Sequence, residues 1–252
     1  MALNPGSTST KVAVFDDTKA AFLKNIKHSQ EELKQFDSIT AQYSFRKEAI
    51  LGELKAADIC LDEIDAVVGR GGLVKPLESG TYEVNEQMKA HLYQGVLGQH
   101  ASNLGGLIAD DIAQSLKNAR AFIADPVVVD ELDDVARYTG HPKFQRRSIF
   151  HALNQKAVAR SYAQAVGRPY EEINLIIAHL GGGISVGAHQ KGRVVDVNNA
   201  LDGDGPFSPE RSGGLPSGDI IRAAFSGQYT QDELYKMVVG QGGMVAYLGT
   251  NN

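Results

Sequence analysis

The chain has 252 residues, 42% of them hydrophobic, and a formal net charge of −5. This length suits two domains of ordinary size, and the hydrophobic fraction is sufficient for well-packed cores. The acidic balance, with no long basic tract, argues against a nucleic-acid surface and a polybasic membrane anchor. No run approaches the ~20 apolar residues of a membrane span, and no secretory leader is evident. A single cysteine permits no internal disulfide, so the sequence predicts a reducing, cytoplasmic setting.

The chain opens with a turn rich in glycine and hydroxyl side chains, which lies between two apolar runs. We call residues 4–11 the first cradle, and they read Asn4-Pro5-Gly6-Ser7-Thr8-Ser9-Thr10-Lys11. Gly6 permits positive φ and close backbone approach, and successive N–H groups in such a turn form an anion-binding concavity. The hydroxyls of residues 7–10 can reach phosphate oxygens, and Asn4 supplies a carboxamide just before the turn. The pattern predicts a strand, a phosphate-binding turn and a second strand.

Strands and helices then alternate through the first half of the chain. A β-like run at 20–26 precedes a capping-box spacing at Ser29–Glu32, and a helix is predicted at 44–57. A strand at 64–68 runs into Gly69-Arg70-Gly71-Gly72, and a loop at 100–103 leads into a helix at 104–109. A strand at 121–124 places Asp125 at its C-terminal end, where Pro126 stops it.

The second half begins with a helix predicted at 148–166, the longest in the sequence, from its helical spacing of apolar residues. We place the domain boundary at its start, which gives predicted domains 1–147 and 148–252. The second cradle, residues 179–183, reads His179-Leu180-Gly181-Gly182-Gly183 between two apolar runs. A strand at 193–197, a Gly-, Asp- and Pro-rich loop at 198–216 and a capping-box spacing at Thr230–Glu233 follow. A loop of that length is usually functional.

The two cradles, one in each half, predict two related lobes that grip one nucleotide between them. The simpler alternative is a pair of ordinary hairpins with Gly and Ser in their turns. Residues 248–252 are helix-capping types with no helix after them, so we expect the second lobe to be unfinished.

Both cradles resemble the signature motifs of the acetate and butyrate kinases, the acetokinase family. The first cradle resembles the first signature, and residues 179–192 resemble the second. Three further features make the chain more similar to the butyrate kinases of the family than to its acetate kinases. These are Pro5, the sequence Arg70-Gly71-Gly72 where acetate kinases have His-Gly-Gly, and the segment at 202–207, Asp-Gly-Asp-Gly-Pro-Phe.

The resemblance implies an α/β, two-lobed, actin-like (ribonuclease H-like) fold of the sugar kinase, heat-shock ATPase and actin superfamily, with an incomplete C-terminal lobe. It implies reversible, direct transfer of the ATP γ-phosphoryl group to a short-chain carboxylate, butyrate first, which yields an acyl phosphate and ADP. ATP/ADP, Mg²⁺ and a cytoplasmic homodimer are implied as well. The adenosine loop, a late glutamate near the metal and a returning helix are expected to be absent.

Four residues are the catalytic candidates. Arg70, at a strand end among glycines, is assigned to the acceptor carboxylate or the moving phosphoryl group, because a guanidinium fork binds two oxygens. Arg211 matches the family's arginine in an Arg-Ser-Gly context, and we expect it to stabilise charge on the transferring group. His151 aligns with the family's Phe-His pair as a hydrogen-bond donor to the phosphoryl group, neutral because a helix N-terminus lowers a histidine pKa. Asp125 matches a strand-end aspartate expected near magnesium.

The nucleotide-binding candidates come from the two cradles, and the metal-binding candidates are Asn4 and Asp125. Phosphate is expected to contact Asn4, Gly6, Ser7, Thr8, Ser9, Lys11, His179, Gly181, Gly182 and Gly183. The simpler alternatives are a surface arginine at 70, a salt bridge within the loop at 211, a turn-capping aspartate at 125, and packed histidines at 151 and 179. His100 loosely resembles a histidine of the family, and His28, His91, His141 and His189 are interpreted as surface or structural residues.

Two rival functions stay open. The first is the same reaction on acetate, propionate or a branched short acid, since one methylene is worth only ~1–3 kcal/mol of discrimination. The second is a non-catalytic, actin-like nucleotide-binding module, because fold does not fix function. Such a module needs phosphate cradles but no carboxylate clamp, so the pair Arg70 and Arg211 argues against it.

Overall fold

The computed structural model describes residues 1–250. The strands are β1 Ala2–Pro5, β2 Ser9–Asp16, β3 Lys19–Lys27, β4 Ala66–Arg70, β5 Thr81–Glu83, β6 Arg120–Ala124, β7 Asn174–Leu180, β8 Ile184–Gln190 and β9 Arg193–Val197. The helices are α1 Gln30–Leu33, α2 Tyr43–Ala56, α3 Glu86–Gln94, α4 Asn103–Gln114, α5 Ala152–Ala165, α6 Ser217–Ala224, α7 Gln231–Val238 and α8 Met244–Leu248. The chain divides into two compact units, Met1–Val128 and Val129–Asn252.

The first unit is built on a six-stranded sheet with strand order β3-β2-β1-β4-β6-β5. The strands β1, β4 and β6 run parallel, whereas β2 and β3 form an antiparallel hairpin with β1. Helix α4 packs on β4 and β6, and Leu104 and Ile108 from this helix are fully buried. Because β1, β4 and β6 are parallel, their carboxyl ends share one edge of the sheet. The residues at these three strand ends are therefore brought together.

Helix α4 lies unusually close to β4 because glycines stand on both sides of the contact. A Cβ added at Gly69 would overlap with the Gly105 carbonyl group, and one added at Gly105 would overlap with the Arg70 carbonyl oxygen. Any side chain at either position would push the helix off the strand. The glycine before Arg70 thus fixes the distance between sheet and helix.

The second unit contains a three-stranded antiparallel sheet with order β7-β8-β9. Helix α5 packs against β7, and its Ala159 and Ala163 meet Tyr170, Ile173 and Ile177 in the core. The strand β8 alternates in burial, as a strand with one covered face should. Its inward residues include Ser185 and His189, which are polar and fully or almost fully buried. The interior beside this strand therefore requires hydrogen-bond partners.

The division between the units falls earlier in the chain than the boundary predicted at 147/148. The intervening segment is tied to the second unit by buried and half-buried polar contacts. Lys156 Nζ lies 2.7 Å from Glu131 Oε2, and Arg146 Nη1 lies 2.8 Å from Asp196 Oδ1. Because this segment has no long helix or strand of its own, its sequence pattern gave no sign of these partners.

Most predicted elements are present with bounds shifted by a few residues. Both strand–turn–strand motifs are confirmed, and so are the capping boxes at Ser29 and Thr230. The helix predicted from 148 begins instead at Ala152. The residues before it are held in an irregular segment, in which the Ile149 carbonyl accepts from the Ala200 N–H. Within residues 1–250, no helix is long and apolar enough to cross a membrane.

Gly105→Ala is expected to destabilise the first unit, because the added methyl group would overlap with the Arg70 carbonyl oxygen. Overpacking of this kind costs about 1–3 kcal/mol. The matched control is Gly52→Ala in α2, where an added Cβ meets nothing within 4 Å. That control is expected to stabilise the helix by up to ~1 kcal/mol. Urea unfolding compares the two variants, and equal midpoints would contradict the close packing of α4 on β4.

Candidate active site

The first cradle is a tight turn closed by its own backbone. The Gly6 N–H donates to the Ser9 carbonyl at 2.7 Å, and strand pairing continues on both sides with Pro5 opposite Thr10. Gly6 does not adopt the positive φ that a glycine permits. Ser7 and Thr8 at the tip are exposed. The tip of the turn is therefore open to solvent.

A buried arginine holds the first cradle from behind. Arg46 of α2 is 0% exposed and uses all five of its N–H donors. These bonds reach the carbonyls of Ser7 and Ser9, the Thr10 hydroxyl and, twice, the Gln42 side-chain oxygen. Within the described residues Arg46 has no carboxylate partner, and burial lowers the pKa of its guanidinium. A positive charge therefore lies directly beneath the turn predicted to bind phosphate.

Thr10 is not a phosphate ligand, contrary to the expectation that all four hydroxyls of the turn reach one. Its side chain is 0% exposed. The Thr10 hydroxyl accepts from Arg46 at 3.0 Å and is hydrogen-bonded to His28 Nε2 at 2.9 Å. The strand alternation that exposes Lys11 turns Thr10 inward. His28 is a structural residue, as predicted, and burial lowers its pKa, with a further lowering from Arg46.

Three predicted site residues lie at the shared carboxyl edge of β1, β4 and β6. Asn4 and Lys11 are cross-strand partners, so their side chains share one face of the hairpin. Arg70 ends β4, next to β1 in the sheet, and its Nη1 lies 3.5 Å from Asn4 Oδ1. Asp125 follows β6, on the other side of β4. The sheet thus brings Asn4, Arg70 and Asp125 to one edge.

Arg70 is held in a partly desolvated position without a counter-ion. Burial lowers the pKa of its guanidinium, and within the described residues no ion pair compensates it. The glycines after it, Gly71 and Gly72, allow neighbouring residues to pack closely against the backbone, rather than leaving room for the arginine side chain. A Cβ at Gly71 would overlap with Pro126, and one at Gly72 would lie 2.6 Å from the Asn103 side-chain oxygen. The segment after Arg70 is therefore fixed by close packing, and the guanidinium extends from a strand end whose backbone is held on both sides.

Asp125 is a buried carboxylate in a strained backbone position. It is 5% exposed and has φ of 36°, an uncommon value for a residue with a side chain. Its Oδ1 accepts from the Ser79 hydroxyl at 2.6 Å and from the Gly80 N–H at 2.9 Å. The alternative role of organising a nearby turn is therefore real, although the turn is at 79–80 rather than at Pro126.

A carboxylate and a carboxamide at this edge fit a magnesium site in donor chemistry. Mg²⁺ prefers oxygen ligands and is usually held by one or two carboxylates together with water and substrate phosphates. Asp125 and Asn4 are such oxygen donors. Within residues 1–250, no group of three or more His, Cys, Asp or Glu side chains could by itself hold a metal ion.

The second cradle joins β7 and β8, with Leu180 paired to Ile184. Its three glycines do not have positive φ, and neighbouring groups lie close to the space that a side chain would fill. A Cβ at Gly182 would lie 3.2 Å from Glu210 Oε2, and one at Gly183 would lie 3.5 Å from His151 Cε1. The turn is therefore packed between a loop residue and a histidine.

The long loop at 198–216 is bonded onto the second cradle. The Gly182 carbonyl accepts from the Ser208 hydroxyl at 2.6 Å and from the Glu210 N–H at 3.1 Å. Ser208 Oγ in turn accepts from the Arg211 N–H at 3.1 Å. Because these bonds are consecutive, the loop places Arg211 at a fixed offset from the cradle glycines.

Arg211 has weak partners and one unsatisfied donor. Its Nη1 donates to the Glu210 carbonyl at 3.2 Å and lies 3.7 Å from Glu210 Oε2. Its Nε is buried and has no hydrogen-bond partner among the described residues. The alternative of a salt bridge within the loop is therefore present, but it is long and leaves part of the guanidinium unused. Buried donors without a partner are rare in native proteins, so this one requires an explanation.

His151 and His179 form a stacked pair beside the second cradle. Their ring centroids are 3.7 Å apart and the planes differ by 6°. His151 stands at the N-cap of α5, with its Nδ1 2.9 Å from Ser185 Oγ. His179 Nδ1 is 3.0 Å from the side-chain nitrogen of Asn154. The two histidines do pack against each other, as the simpler alternative predicts. This contact lies beside the second cradle, where the phosphate site is predicted.

The sequence interpretation missed the polar residues that support both cradles. Arg46 supports the first, and Ser185, Gln155 and His189 lie behind the second. One signal was available, since Arg46, Ile50 and Leu54 share the buried face of α2 at a spacing of four residues.

Comparisons with known proteins agree with this architecture. The family model described as the acetokinase family matches residues 137–251. "Butyrate kinase 2" of Clostridium acetobutylicum is 57% identical over 252 residues, covering 100% of this chain and 70% of that protein. "Butyrate kinase 1" of the same organism is 57% identical over 250 residues, with 99% and 70% covered. The chain thus spans about 70% of the length of these relatives.

Solved structures show the same fold at low sequence identity. The acetate kinase of Porphyromonas gingivalis has a TM-score of 0.75 at 17% identity, over 100% of this chain and 70% of that one. A propionate kinase from Francisella tularensis has a TM-score of 0.72 at 19% identity, over 100% and 70%. The predicted α/β, actin-like kinase fold is confirmed. With relatives at 57% identity across the chain, the protein belongs to the acetokinase family.

Arg46→Lys is expected to loosen the first cradle, because a lysine has three N–H donors for the five bonds that Arg46 makes. Each bond to a charged group that is not remade costs about 1.5–3 kcal/mol. The midpoint temperature of thermal unfolding should therefore fall, and the affinity for ATP, measured by calorimetry, should fall with it. Arg222→Lys is the control, since Arg222 is 75% exposed and should change neither value. ATP affinity equal to the parent protein would contradict the role given to Arg46.

Proposed function

We propose that this protein transfers the γ-phosphoryl group of ATP to a short-chain carboxylate, with butyrate as the preferred acceptor. The products are an acyl phosphate and ADP, and the reaction is reversible. Membership of the acetokinase family supports the reaction class, and the 57% identity to proteins named butyrate kinase supports the acceptor. Acetate, propionate and branched short acids are the alternatives.

One observation carries the proposal on structural grounds. Arg70 presents a partly desolvated guanidinium at the carboxyl ends of the parallel strands β1, β4 and β6, and no carboxylate within the described residues forms an ion pair with it. A charge in such a position costs free energy unless an anion pairs with it. A guanidinium binds a carboxylate through two parallel hydrogen bonds. A substrate carboxylate, or the phosphoryl group moving toward it, supplies that anion.

The chemistry needs no general base. A carboxylate oxygen of the acceptor attacks the γ-phosphorus, and the bond from this phosphorus to the β–γ bridging oxygen breaks. The electron pair of that bond leaves with ADP. The acceptor is already ionised at neutral pH, so no proton has to be removed. The protein therefore works by positioning and by neutralising charge.

In the first unit, we assign the phosphates to the cradle tip. Gly6, Ser7, Thr8 and Ser9 offer N–H and hydroxyl donors, with the Arg46 charge beneath them. Asn4, Lys11 and Asp125 complete the set, and Asn4 and Asp125 are the residues that would hold Mg²⁺. The metal, when bound, supplies neutralisation of phosphate charge.

In the second unit, we assign His151 and Arg211 to the phosphoryl group in transfer. His151 offers a ring N–H beside Gly183, and Arg211 offers the unsatisfied part of its guanidinium. His179 and the backbone of Gly181, Gly182 and Gly183 are assigned to phosphate oxygens. The family resemblance also supports a cytoplasmic homodimer that engages neither membrane nor nucleic acid.

The reaction is tested by trapping its product. Acyl phosphate reacts with hydroxylamine to a hydroxamate, which is measured with butyrate, acetate, propionate and isobutyrate in turn. We expect butyrate to give the highest kcat/KM, with about 10-fold or greater loss for acetate, since each methylene contributes ~1–3 kcal/mol. A folded protein that gives no hydroxamate with any of these acids in magnesium ATP would refute the proposal.

Arg211→Ala is expected to reduce kcat by about 10²–10³-fold, the usual effect of losing one donor to transition-state charge. ATP affinity should change much less, because the charge in question develops only during transfer. The matched control is Arg222→Ala, which removes an exposed arginine from α6 of the same unit. Turnover by Arg211→Ala within a few-fold of the control would show that Arg211 does not act on the phosphoryl group.

A further inference from the structure

A row of buried polar side chains runs from the core of the second unit to His151. Tyr170, His189, Gln155 and Ser185 are each 5% exposed or less. The Tyr170 hydroxyl lies 2.6 Å from His189 Nδ1, and His189 Nε2 lies 2.9 Å from Gln155 Oε1. Gln155 Nε2 lies 2.9 Å from Ser185 Oγ, which lies 2.9 Å from His151 Nδ1. We call these four residues and His151 the polar relay.

The direction of every bond in the polar relay follows from one fixed point. Gln155 Nε2 also lies 3.0 Å from the Ser185 carbonyl oxygen, and a carbonyl can only accept. The amide nitrogen of Gln155 must therefore face Ser185, and its oxygen must face His189. His189 then donates from Nε2 and accepts at Nδ1 from the Tyr170 hydroxyl.

The state of His189 is consistent with this direction. Burial, with a further contribution from the Lys156 charge, lowers its pKa to about 4, while Glu131 raises it slightly. His189 is therefore neutral at pH 7 and carries a single ring proton, as the bonding pattern requires. Gly187 makes room for the arrangement, because a Cβ there would overlap with Gln155 Oε1. A glycine inside a strand often marks such a close approach.

Ser185 extends this fixed pattern of donors and acceptors to His151. The Ser185 Oγ accepts from Gln155 Nε2 and, at 3.4 Å, from the His151 backbone N–H. Both lone pairs of the hydroxyl are then occupied, so its proton is donated to His151 Nδ1. A neutral imidazole that accepts at Nδ1 carries its proton on Nε2.

We propose that Gln155, acting through Ser185, is a positioning residue that holds His151 as the Nε2–H tautomer. The ring proton is thereby kept on the nitrogen opposite Ser185, where it serves as a hydrogen-bond donor. The catalytic meaning of this donor rests on the proposed function, in which His151 donates to the phosphoryl group. The tautomer itself does not, since the bonds that set it lie within the protein.

The tautomer is read directly by NMR. Protein labelled with ¹⁵N-histidine gives long-range ¹H–¹⁵N correlations that distinguish protonated from unprotonated ring nitrogens, and a His151→Asn sample assigns the His151 signals. In the ligand-free protein at pH 7 we expect His151 and His189 both to be Nε2–H, without averaging. An Nδ1–H form of His151, or averaging between tautomers, would overturn the proposal without the need for any further variant.

Gln155→Glu tests the role of the glutamine. A carboxylate in place of the amide can only accept at Ser185, so the serine hydroxyl should turn to it and His151 Nδ1 should become protonated. Gln164→Glu adds the same charge at an exposed position of α5 and should leave the His151 signals unchanged. Should Gln155→Glu not fold, Gln155→Met removes the amide at similar size, and averaged His151 signals are expected. Unchanged Nε2–H signals in the folded Gln155 variant would contradict the proposal.

Kinetics separate this inference from the proposed function. In the butyrate assay, Gln155→Glu should reduce kcat by about 10–100-fold, comparable to the loss when a partner that orients a metal-binding histidine is removed, with the KM for ATP little changed. A parent protein that shows the Nε2–H tautomer but makes no acyl phosphate would refute the function and leave the tautomer assignment intact. An active parent with the opposite tautomer would refute only the assignment.

Discussion

The structure depends on one constraint: a turn whose outer face is open to a ligand needs hydrogen bonds from the protein interior to the polar groups of its inner face. An anion-binding turn leaves its N–H groups pointing outward, so the carbonyl and hydroxyl groups facing inward need partners from the protein interior. In the first unit Arg46 supplies them to Ser7, Ser9 and Thr10. In the second unit Gln155 bonds the Ser185 carbonyl and hydroxyl. Removing either support would leave buried polar groups unsatisfied, which costs about 1–3 kcal/mol for each group.

The two units meet this constraint with different chemistry. The support of the first cradle is a cation without a counter-ion among the described residues, so it adds a positive potential beneath the turn that we propose binds phosphate. In the second unit the neutral amide of Gln155 bonds Ser185 on β8, the strand that follows the second cradle, so it sets the direction of hydrogen bonds instead. The two supporting side chains therefore differ in charge, although each lies on the first long helix of its unit, α2 or α5, which packs on strands beside the cradle.

The sequence predicted those parts of the fold whose signals are local. Both cradles were predictable because a glycine-rich turn between two apolar runs seldom forms anything other than a strand–turn–strand motif. Helix α3 was missed because its nine residues carry a weak apolar pattern, although Asn85 caps its start and the left-handed Gly95 ends it. The sequence did not decide whether Gly6 is needed for its backbone angle or for the space it leaves, and in the structure its φ is not positive.

The candidate site was predictable where a motif or a strand end marks it, as with Asn4, Arg70 and Asp125. The residues that support the site were not predictable, because charged and amide side chains on helices are usually exposed. Only tertiary packing turns Arg46 and Gln155 inward. Thr10 is the intermediate case, since strand alternation places it on the face of Val12 and Val14, while its membership of the motif suggested the opposite.

The left-handed backbone of Asp125 means that this site is maintained against the preference of its own residue. A glycine would adopt φ of 36° without the strain of about 1–3 kcal/mol that a side chain brings. Glycine, however, would remove the carboxylate that binds the Ser79 and Gly80 turn and is assigned to the metal. Asp125→Gly would thus relieve the strain but remove the acceptor of two hydrogen bonds, at about 1–3 kcal/mol each. Backbone strain and side-chain hydrogen bonding therefore oppose each other at this one residue.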